Sequence, residues 1–305
     1  MDDRLAGLPW GEPGTFLGLP EADAALDAAR VLILPVPYEA TVSWLPGTRF
    51  GPRGILEASR YIELYDHELD AEPYRVGVHT LPPLMLSAEG PERATAQLRE
   101  AFDRLLATGK LVIMLGGEHS ITAPPVEAHV ARLGQRPLSV LQLDAHADLR
   151  AEYHGTPFSH ACVMHRVHER VTLVPVGLRA ITTEEGALIR EKRIPAIFAH
   201  ELQEGDAWID RALAALGPDV YVTIDVDYFD PGLVPSTGTP EPGGGAWYPT
   251  QRLLERVFRE RRVVGVDVVE LAPIPGLAAP DFLVAKLVYK LIAYHQRYGV
   301  HASER

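Results

Sequence analysis

Short runs of valine, isoleucine and leucine recur along the chain, with longer amphipathic stretches between them. The runs predict buried strands at residues 31–36, 111–115, 138–143, 171–176, 220–224 and 263–269. Helical periodicity predicts helices at residues 92–108, 207–216, 250–261 and 280–298. Apolar runs without polar alternation are typical of strands buried on both faces, as in a parallel sheet covered by helices. We therefore predict the α/β class, as a single-domain three-layer αβα sandwich with a mainly parallel sheet over residues 1–305.

The composition is that of an ordinary globular protein with a sizeable core. Of 305 residues, 47% are hydrophobic and 23% are charged. The 41 acidic and 29 basic side chains give a formal net charge of -12. This balance argues against nucleic acid or an anionic membrane as a partner and favours cationic small molecules, although a charge that serves only solubility is an equally good interpretation.

Cysteine content and apolar run lengths bear on the compartment. Cys162 is the only cysteine, so neither an intrachain disulfide nor a zinc–thiolate cluster can form. The N-terminal sequence Met1 to Leu5 lacks the basic and apolar segments of a signal peptide, and no apolar run approaches the roughly 20 residues of a membrane helix. We expect a cytoplasmic protein without a membrane segment.

Metal-capable side chains follow two of the predicted strands. Asp144, His146 and Asp148 come after one apolar run, and Asp225 and Asp227 come after another about eighty residues later. Alternate residues of a strand point to the same side, so each set is expected to point one way at the end of its strand. Four carboxylates in one small volume would repel one another, and two divalent cations would compensate their charge.

A third motif, Gly116-Gly117-Glu118-His119-Ser120, ends another predicted strand, with a helix expected to start near the histidine. The glycines allow a sharp turn that would hold His119 against the carboxylates. Four oxygen donors, two imidazoles and no thiolate suit Mn²⁺, with zinc as an alternative. Two such ions about 4 Å apart can share a water and lower its pKa, which leaves a hydroxide to attack an electrophilic carbon. The competing interpretation is a structural network of capped carboxylates.

The residues after the second aspartate pair, 231–249, are rich in proline, glycine, serine and threonine. Functional loops of parallel α/β proteins lie beyond the carboxyl ends of the strands. This segment is therefore predicted as the rim of the active site, with an ordinary solvated loop as the alternative.

These three motifs, in this order, resemble the signatures of the ureohydrolase family, which includes arginases and agmatinases. The resemblance runs from Pro37-Tyr38 and the segment 46–52 to Glu270. It implies a homo-oligomer, as a trimer or hexamer, that acts on a guanidine. It also implies two Mn²⁺ ions per chain, held by His119, Asp144, His146, Asp148, Asp225 and Asp227.

Two catalytic residues are implied by the same resemblance. Glu270 matches the family's guanidinium-binding glutamate, and a carboxylate can accept two parallel N–H bonds from that planar cation. The alternative is a buried glutamate tied to the metal ligands. His160 resembles the family's proton-shuttling histidine, and an ordinary pKa near ~6.5 would let it carry a proton to the leaving amine. It could instead be a bystander, as His154 could.

Other candidate residues are interpreted as structural. The histidines without a motif around them are expected on the surface or on helix faces: His129, His165, His168 and His200. Asp230 begins an Asp-Pro turn, and we expect it to orient the backbone rather than bind metal.

Two segments bear on the substrate. The loop 149–155 and the segment 177–182 depart from the arginase pattern, and Thr182 stands where arginases place an aspartate for the α-amino group. Both resemble the agmatinase branch, so the predicted reaction is hydrolysis of agmatine to putrescine and urea. Glu152 or Glu241 could meet the distal amine. Alternatives are N1-aminopropylagmatine and, because Arg150 could hold a carboxylate, 4-guanidinobutanoate.

Functions from other classes fit the same residues less well. A mononuclear zinc deacetylase of a related fold would need neither His119 nor a second full aspartate pair. A catalytically silent binding protein would be expected to lack a ligand, yet all six are present. A two-metal phosphoesterase lacks support because there is no glycine-rich phosphate cradle, and the net negative charge opposes anionic substrates.

Overall fold

A single parallel sheet of eight strands organises the chain in the computed structural model, which describes residues 14–20 and 22–299. The strands are β1 (Val31–Val36), β2 (Val78–Thr80), β3 (Leu111–Gly116), β4 (Leu138–Leu143), β5 (Thr172–Leu178), β6 (Ile197–Phe198), β7 (Asp219–Asp225) and β8 (Arg262–Val269). Their order is β2-β1-β3-β8-β7-β4-β5-β6, and every neighbouring pair is parallel. The predicted α/β class with a parallel sheet is confirmed. The N-terminal sequence Met1 to Leu5 lies outside the described residues.

Helices cover both faces of this sheet. They are α1 (Gly51–Ser59), α2 (Pro91–Leu106), α3 (Ala123–Leu133), α4 (Thr183–Lys192), α5 (Ala207–Ala215), α6 (Trp247–Glu260) and α7 (Ala279–Tyr294). Alternate residues of β1 join different cores: Val31 and Ile33 pack with side chains of α1, α5, α6 and α7, whereas Leu32 and Leu34 pack with α2. Residues of α3 and α4 form a third core with β4 and β5. The three-layer αβα arrangement follows from this alternation.

All six predicted strands form, within a few residues of the predicted bounds. The two edge strands β2 and β6 were not predicted, because their 3 and 2 residues are too short to give a recognisable apolar run. The prediction that one domain spans residues 1–305 stays a prediction.

The helix expected near His119 begins later than predicted. A single 3₁₀ turn spans His119–Thr122, and α3 begins at Ala123. Pro124 and Pro125 explain this, because proline is tolerated in the first turn of an α-helix and not further in. Likewise, α6 begins at Trp247, so the end of the predicted loop 231–249 is helical.

The fold brings four strand ends together. β3, β8, β7 and β4 are consecutive neighbours in the sheet, and each of the sequence motifs follows the carboxyl end of one of them. Gly117 is required by close packing here, because a Cβ on it would lie 1.8 Å from the carbonyl oxygen of Tyr38. In residues 14–20 and 22–299, no helix is long and apolar enough to cross a lipid bilayer.

Candidate metal centre

All six predicted metal ligands lie at the carboxyl edge of the sheet. Only Asp225 belongs to a strand; the others lie in the turns that follow β3, β4 and β7. The prediction that alternate strand positions aim these side chains is therefore wrong for Asp144, His146 and Asp148, because β4 ends at Leu143. The turns themselves orient the ligands.

Hydrogen bonds to backbone N–H groups fix the aspartates. The N–H of His146 donates to Asp144 Oδ1 (2.6 Å), and the N–H of Asp227 donates to Asp225 Oδ1 (2.9 Å). Asp227 Oδ1 accepts from the N–H of Ala145 (3.0 Å), which joins the two aspartate motifs directly. These hydrogen bonds to the protein hold all three carboxylates in place at the strand ends.

The ligand atoms form two adjoining groups that share Asp144. His119, Asp144 and Asp225 make one group, and Asp144, His146 and Asp227 make the other, with the ligand atoms of each group within 4.8 Å of one another. Asp148 adjoins the first group, because its Oδ2 lies 2.9 Å from His119 Nδ1. The structure therefore brings all six predicted residues together in an arrangement that suits two neighbouring cations.

The environment of His119 Nδ1 tests whether these residues fit a metal. This nitrogen is buried, and no described residue forms a hydrogen bond with it. Carboxylate oxygens of Asp144, Asp148 and Asp225 nevertheless surround it at 3.2, 2.9 and 3.4 Å. An unpartnered buried nitrogen facing three carboxylates fits a cation placed between them, since buried polar atoms without partners are costly. Oxygen and imidazole donors suit a divalent ion.

The pKa values of the cluster reflect its excess negative charge. Burial disfavours a charged imidazole, but the carboxylates of Asp227 and Asp144 raise the pKa of His146 to about 12. Burial and the charge of Asp144 raise the pKa of Asp148 to about 6. These directions show that the carboxylates attract positive charge strongly, which bound cations would provide.

His160 lies beside this cluster and is oriented by Thr41. The hydroxyl of Thr41 donates to Glu118 Oε1 (2.8 Å), and its oxygen lies 3.1 Å from His160 Nδ1. Since that hydroxyl has a single hydrogen, its oxygen accepts from the Nδ1–H of the imidazole. Nε2 is thereby left as a proton acceptor.

The expected pKa of His160, near ~6.5 for an unperturbed imidazole, differs from that in the structure. Burial and the positive charges of His119 and His146 lower the pKa of His160 to about 4. The imidazole is therefore neutral at neutral pH, in the form that accepts a proton.

Glu270 directly follows β8 and faces the same cluster. Its backbone has φ = 65°, in the left-handed region that non-glycine residues rarely adopt, and Asp148 is similar at φ = 53°. Glu270 Oε1 accepts from the N–H of His119 at 2.6 Å. Burial and the charge of Glu118 raise the pKa of Glu270 well above its ordinary value. A cationic group beside this carboxylate would reverse that shift, so the site suits a guanidinium.

One cavity of about 200 Å³ collects most of these side chains. Its walls include His119, His146, Asp148, Asp225, Asp227, His160 and Glu270. Gly238 and Thr239, from the segment predicted as the rim, also line it. A second cavity of about 850 Å³ shares Val42 and Tyr153 with the first.

The structure gives Thr182 a structural role. Its hydroxyl accepts from the N–H of Glu185 (3.2 Å) at the start of α4, and Glu185 Oε2 accepts from the N–H of Thr182 (2.8 Å). This capping box engages the position where arginases place an aspartate. Neither Glu152 nor Glu241, proposed from the sequence as partners of the distal amine, lines the metal cavity.

The other residues interpreted as structural agree with the predictions in part. Asp230 accepts from the N–H groups of Gly232 and Gly243 at 2.8 and 2.9 Å, so it orients backbone as predicted. His200 is exposed, and His165 and His168 are half-buried. His129 is on a helix, as expected, but on the buried face of α3 rather than at the surface.

The comparison with known families decides the assignment. The profile of the arginase family matches residues 29–293. The chain belongs to the arginase family. It is therefore a ureohydrolase, an enzyme that hydrolyses a guanidino group, and the resemblance seen in the motifs is confirmed.

Individual members of the arginase family resemble the chain over most of its length. A Synechocystis protein named N(1)-aminopropylagmatine ureohydrolase is 42% identical over 289 residues, which cover 92% of this chain and 94% of that protein. An agmatinase of Pyrococcus horikoshii is 35% identical over 282 residues, covering 92% and 96%. The crystal structure of the agmatine ureohydrolase of Thermoplasma volcanium matches with a TM-score of 0.82 at 28% identity, covering 91% and 94%.

Sequence reasoning missed several residues that support this arginase-family site. Glu118 is fully buried and accepts from the N–H groups of Ala40 and Thr41, both at 2.6 Å. Arg179 donates to backbone carbonyls of the loop after β7, including those of Asp227 (2.5 Å) and Glu241 (2.8 Å). The available signal for Glu118 was its position as a charged residue just beyond the apolar run 111–115, since buried charges need partners.

Proposed function

We propose that this protein hydrolyses the guanidino group of N1-aminopropylagmatine, releasing urea and a triamine. The observation that carries the chemistry is the cavity whose walls include candidate ligands from both metal groups together with His160 and Glu270. The sequence alone favoured agmatine as the substrate. The greater identity to a protein named for the longer substrate, 42% against 35% for the agmatinase, favours N1-aminopropylagmatine instead.

Room for a longer substrate supports this choice. A cavity of about 200 Å³ is small for a whole ligand, because ligand sites commonly reach about 300–1,000 Å³. The second cavity adjoins it past Val42 and Tyr153, and Glu89 and Glu92 are among its lining residues. An aminopropyl tail that leaves the metal cavity by this route would meet carboxylates, which suit its positive charge.

We propose that two Mn²⁺ ions occupy the centre. His119, Asp144, Asp148 and Asp225 would hold one ion, and Asp144, His146 and Asp227 the other, with Asp144 between them. When bound, such a pair supplies an activated water to the electrophilic carbon. Mn²⁺ is chosen because the donors are oxygens and imidazoles rather than thiolates.

The protein side chains would orient the substrate and move a proton. Glu270 would accept two N–H bonds from the guanidinium and hold its carbon towards the ions. His160, neutral and with Nδ1 bonded to Thr41, would take a proton at Nε2 and pass it to the departing amine.

A urea-release panel tests the proposed substrate. The Mn²⁺-loaded protein is assayed with N1-aminopropylagmatine, agmatine, arginine and 4-guanidinobutanoate. We expect the highest kcat/KM for N1-aminopropylagmatine, a lower value for agmatine and the lowest values for the two carboxylate-bearing substrates. A higher kcat/KM for agmatine would make agmatine the substrate instead, and preference for 4-guanidinobutanoate would point to Arg150 as a carboxylate partner.

A further inference from the structure

A column of polar side chains lies beneath the metal centre in the middle of the sheet. Tyr221, Thr223 and Asp225 are alternate residues of β7, so they share one face of that strand. Asp225 is a candidate metal ligand, whereas Tyr221 and Thr223 are fully buried further down the strand. Polar groups at the centre of an apolar sheet destabilise the fold unless they form hydrogen bonds. Their hydrogen-bond partners therefore indicate their role.

Asp267 is the partner of both residues. It lies on β8 directly opposite Thr223, and it is fully buried. Its Oδ2 accepts from the Tyr221 hydroxyl (2.7 Å), and its Oδ1 accepts from the Thr223 hydroxyl (2.6 Å). Each carboxylate oxygen therefore has a hydroxyl donor.

The backbone makes room for this arrangement at Gly265. A Cβ on Gly265 would lie 2.7 Å from Tyr221 Cε2 and 2.6 Å from His129 Nε2. Any larger residue there would push the tyrosine ring out of place. The network thus depends on a glycine in a strand interior, a position where glycine is otherwise unfavourable.

The direction of these bonds fixes the role of His119. The Thr223 hydroxyl has one hydrogen, and Asp267 accepts it. The same oxygen lies 2.9 Å from His119 Nε2, so it can only accept there, from an Nε2–H. The opposite nitrogen, Nδ1, is the one that lacks a hydrogen-bond partner among the described residues and faces three candidate ligand carboxylates.

We propose that Thr223, held by Asp267 and Tyr221, is a positioning residue that makes His119 a metal ligand through Nδ1. The hydroxyl places the imidazole proton on Nε2 and fixes the plane of the ring, so that the lone pair of Nδ1 points at the cation. Partners of this kind typically change metal affinity by about 10–100-fold. The inference rests on the metal centre proposed above.

The test measures Mn²⁺ binding to the metal-depleted full-length protein by calorimetry, which does not depend on activity. Thr223→Val keeps the shape of threonine and removes the hydroxyl, and Thr223→Ser restores the hydroxyl. Thr95→Val is the matched control, since Thr95 is also buried but donates only to the carbonyl of Glu92 in its own helix α2.

We expect Thr223→Val to weaken one of the two Mn²⁺ sites about 10–100-fold, with Thr223→Ser close to wild type and Thr95→Val unchanged. Tyr221→Phe, which removes one donor from Asp267, should weaken the same site to a smaller extent and serves if Thr223→Val does not fold. If Thr223→Val, or Tyr221→Phe where that variant stands in, binds two Mn²⁺ ions with the affinity of the wild-type protein, only this inference is overturned. Failure of the wild-type protein to bind two ions would instead overturn the proposed metal centre.

Discussion

At the scale of single residues, Glu270 carries the proposed recognition of the guanidinium. Glu270→Gln should retain both ions, because a glutamine oxygen can still accept from the N–H of His119. It should lower kcat/KM by about 100-fold or more, since the neutral amide offers one acceptor oxygen instead of two, so the two parallel N–H bonds and the orientation they give are lost. Metal analysis and urea kinetics measure the two effects, and Glu63→Gln, at an exposed position, is the control. A normal kcat/KM would remove Glu270 from substrate binding.

Thr41 and His160 are expected to act together, because the Thr41 hydroxyl orients the His160 imidazole. His160→Asn should lower kcat by about 100-fold or more without loss of metal, as expected for a proton-transfer group. Thr41→Val should give a smaller loss, because it removes the hydroxyl that accepts from Nδ1. If the two residues act together, the double variant should be no worse than His160→Asn alone. Simple addition of the two effects would show that Thr41 does not act through the imidazole.

The candidate ligands could be predicted from the sequence because each motif keeps several metal-capable residues within a few positions. The orientation of these ligands could not be predicted from the sequence. Asp148 has φ = 53°, and Asp144 is held by the N–H of His146; neither follows from strand periodicity. Thr41, Glu118, Thr223 and Asp267 act across long sequence separations, so no local pattern indicates that they meet.

At the scale of elements, Arg179 fastens the loop after β7 to the end of β5. Its guanidinium donates to the carbonyls of Gly177 (3.0 Å), Asp227 (2.5 Å) and Glu241 (2.8 Å). Arg179→Lys should loosen this loop, because an ammonium cannot reproduce the planar set of donors. Hydrogen exchange across residues 228–245 should rise, and kcat/KM should fall about tenfold or more, equivalent to losing charged hydrogen bonds. Arg252→Lys, at a surface ion pair, is the control, and unchanged exchange in that loop would contradict this role.

The packing of α3 against β7 and β8 makes stability depend on pH. Burial, with the charges of Arg132 and Arg262, lowers the pKa of His129 to about 4, whereas in the unfolded chain it would be near ~6.5. The unfolded state therefore binds more protons between these values, so stability falls as the pH drops from ~6.5 to ~4, by up to ~3 kcal/mol from this residue. His129→Leu should flatten this part of the stability profile in urea unfolding. His200→Gln, at an exposed histidine, should leave it unchanged, and an unaltered slope in His129→Leu would contradict the assignment.

Element prediction succeeded where a segment is long and apolar and failed where local chemistry decides. The central strands were predicted because they are buried on both faces and read as continuous runs. Helix α4 was not predicted; its start depends on the Thr182–Glu185 capping box, and its helical periodicity is weak. The late start of α3 depends on Pro124 and Pro125, because proline is tolerated in the first turn of a helix and not further in.

At the scale of the whole molecule, an apolar surface bears on assembly. Tyr61, Ile274, Leu277 and Phe282 are exposed and line one groove of about 940 Å³. Apolar patches of this kind often mark contacts between chains, and the family resemblance implies a trimer or hexamer. Light scattering after size-exclusion chromatography should show such an oligomer, and Tyr61→Ser with Phe282→Ser should shift it to smaller species on dilution. Tyr248→Ser, at another exposed aromatic residue, should not, and a monomeric wild-type protein would contradict the expectation.

In the proposed mechanism, two cations held by six side chains are needed to hydrolyse a guanidine. The most direct measurement titrates Mn²⁺ into the metal-depleted protein and follows bound ions and urea release from N1-aminopropylagmatine in the same samples. This mechanism predicts no urea without metal and full activity only when two ions are bound per chain. Full activity with one ion or none, or no urea from any guanidine with two ions bound, would contradict it.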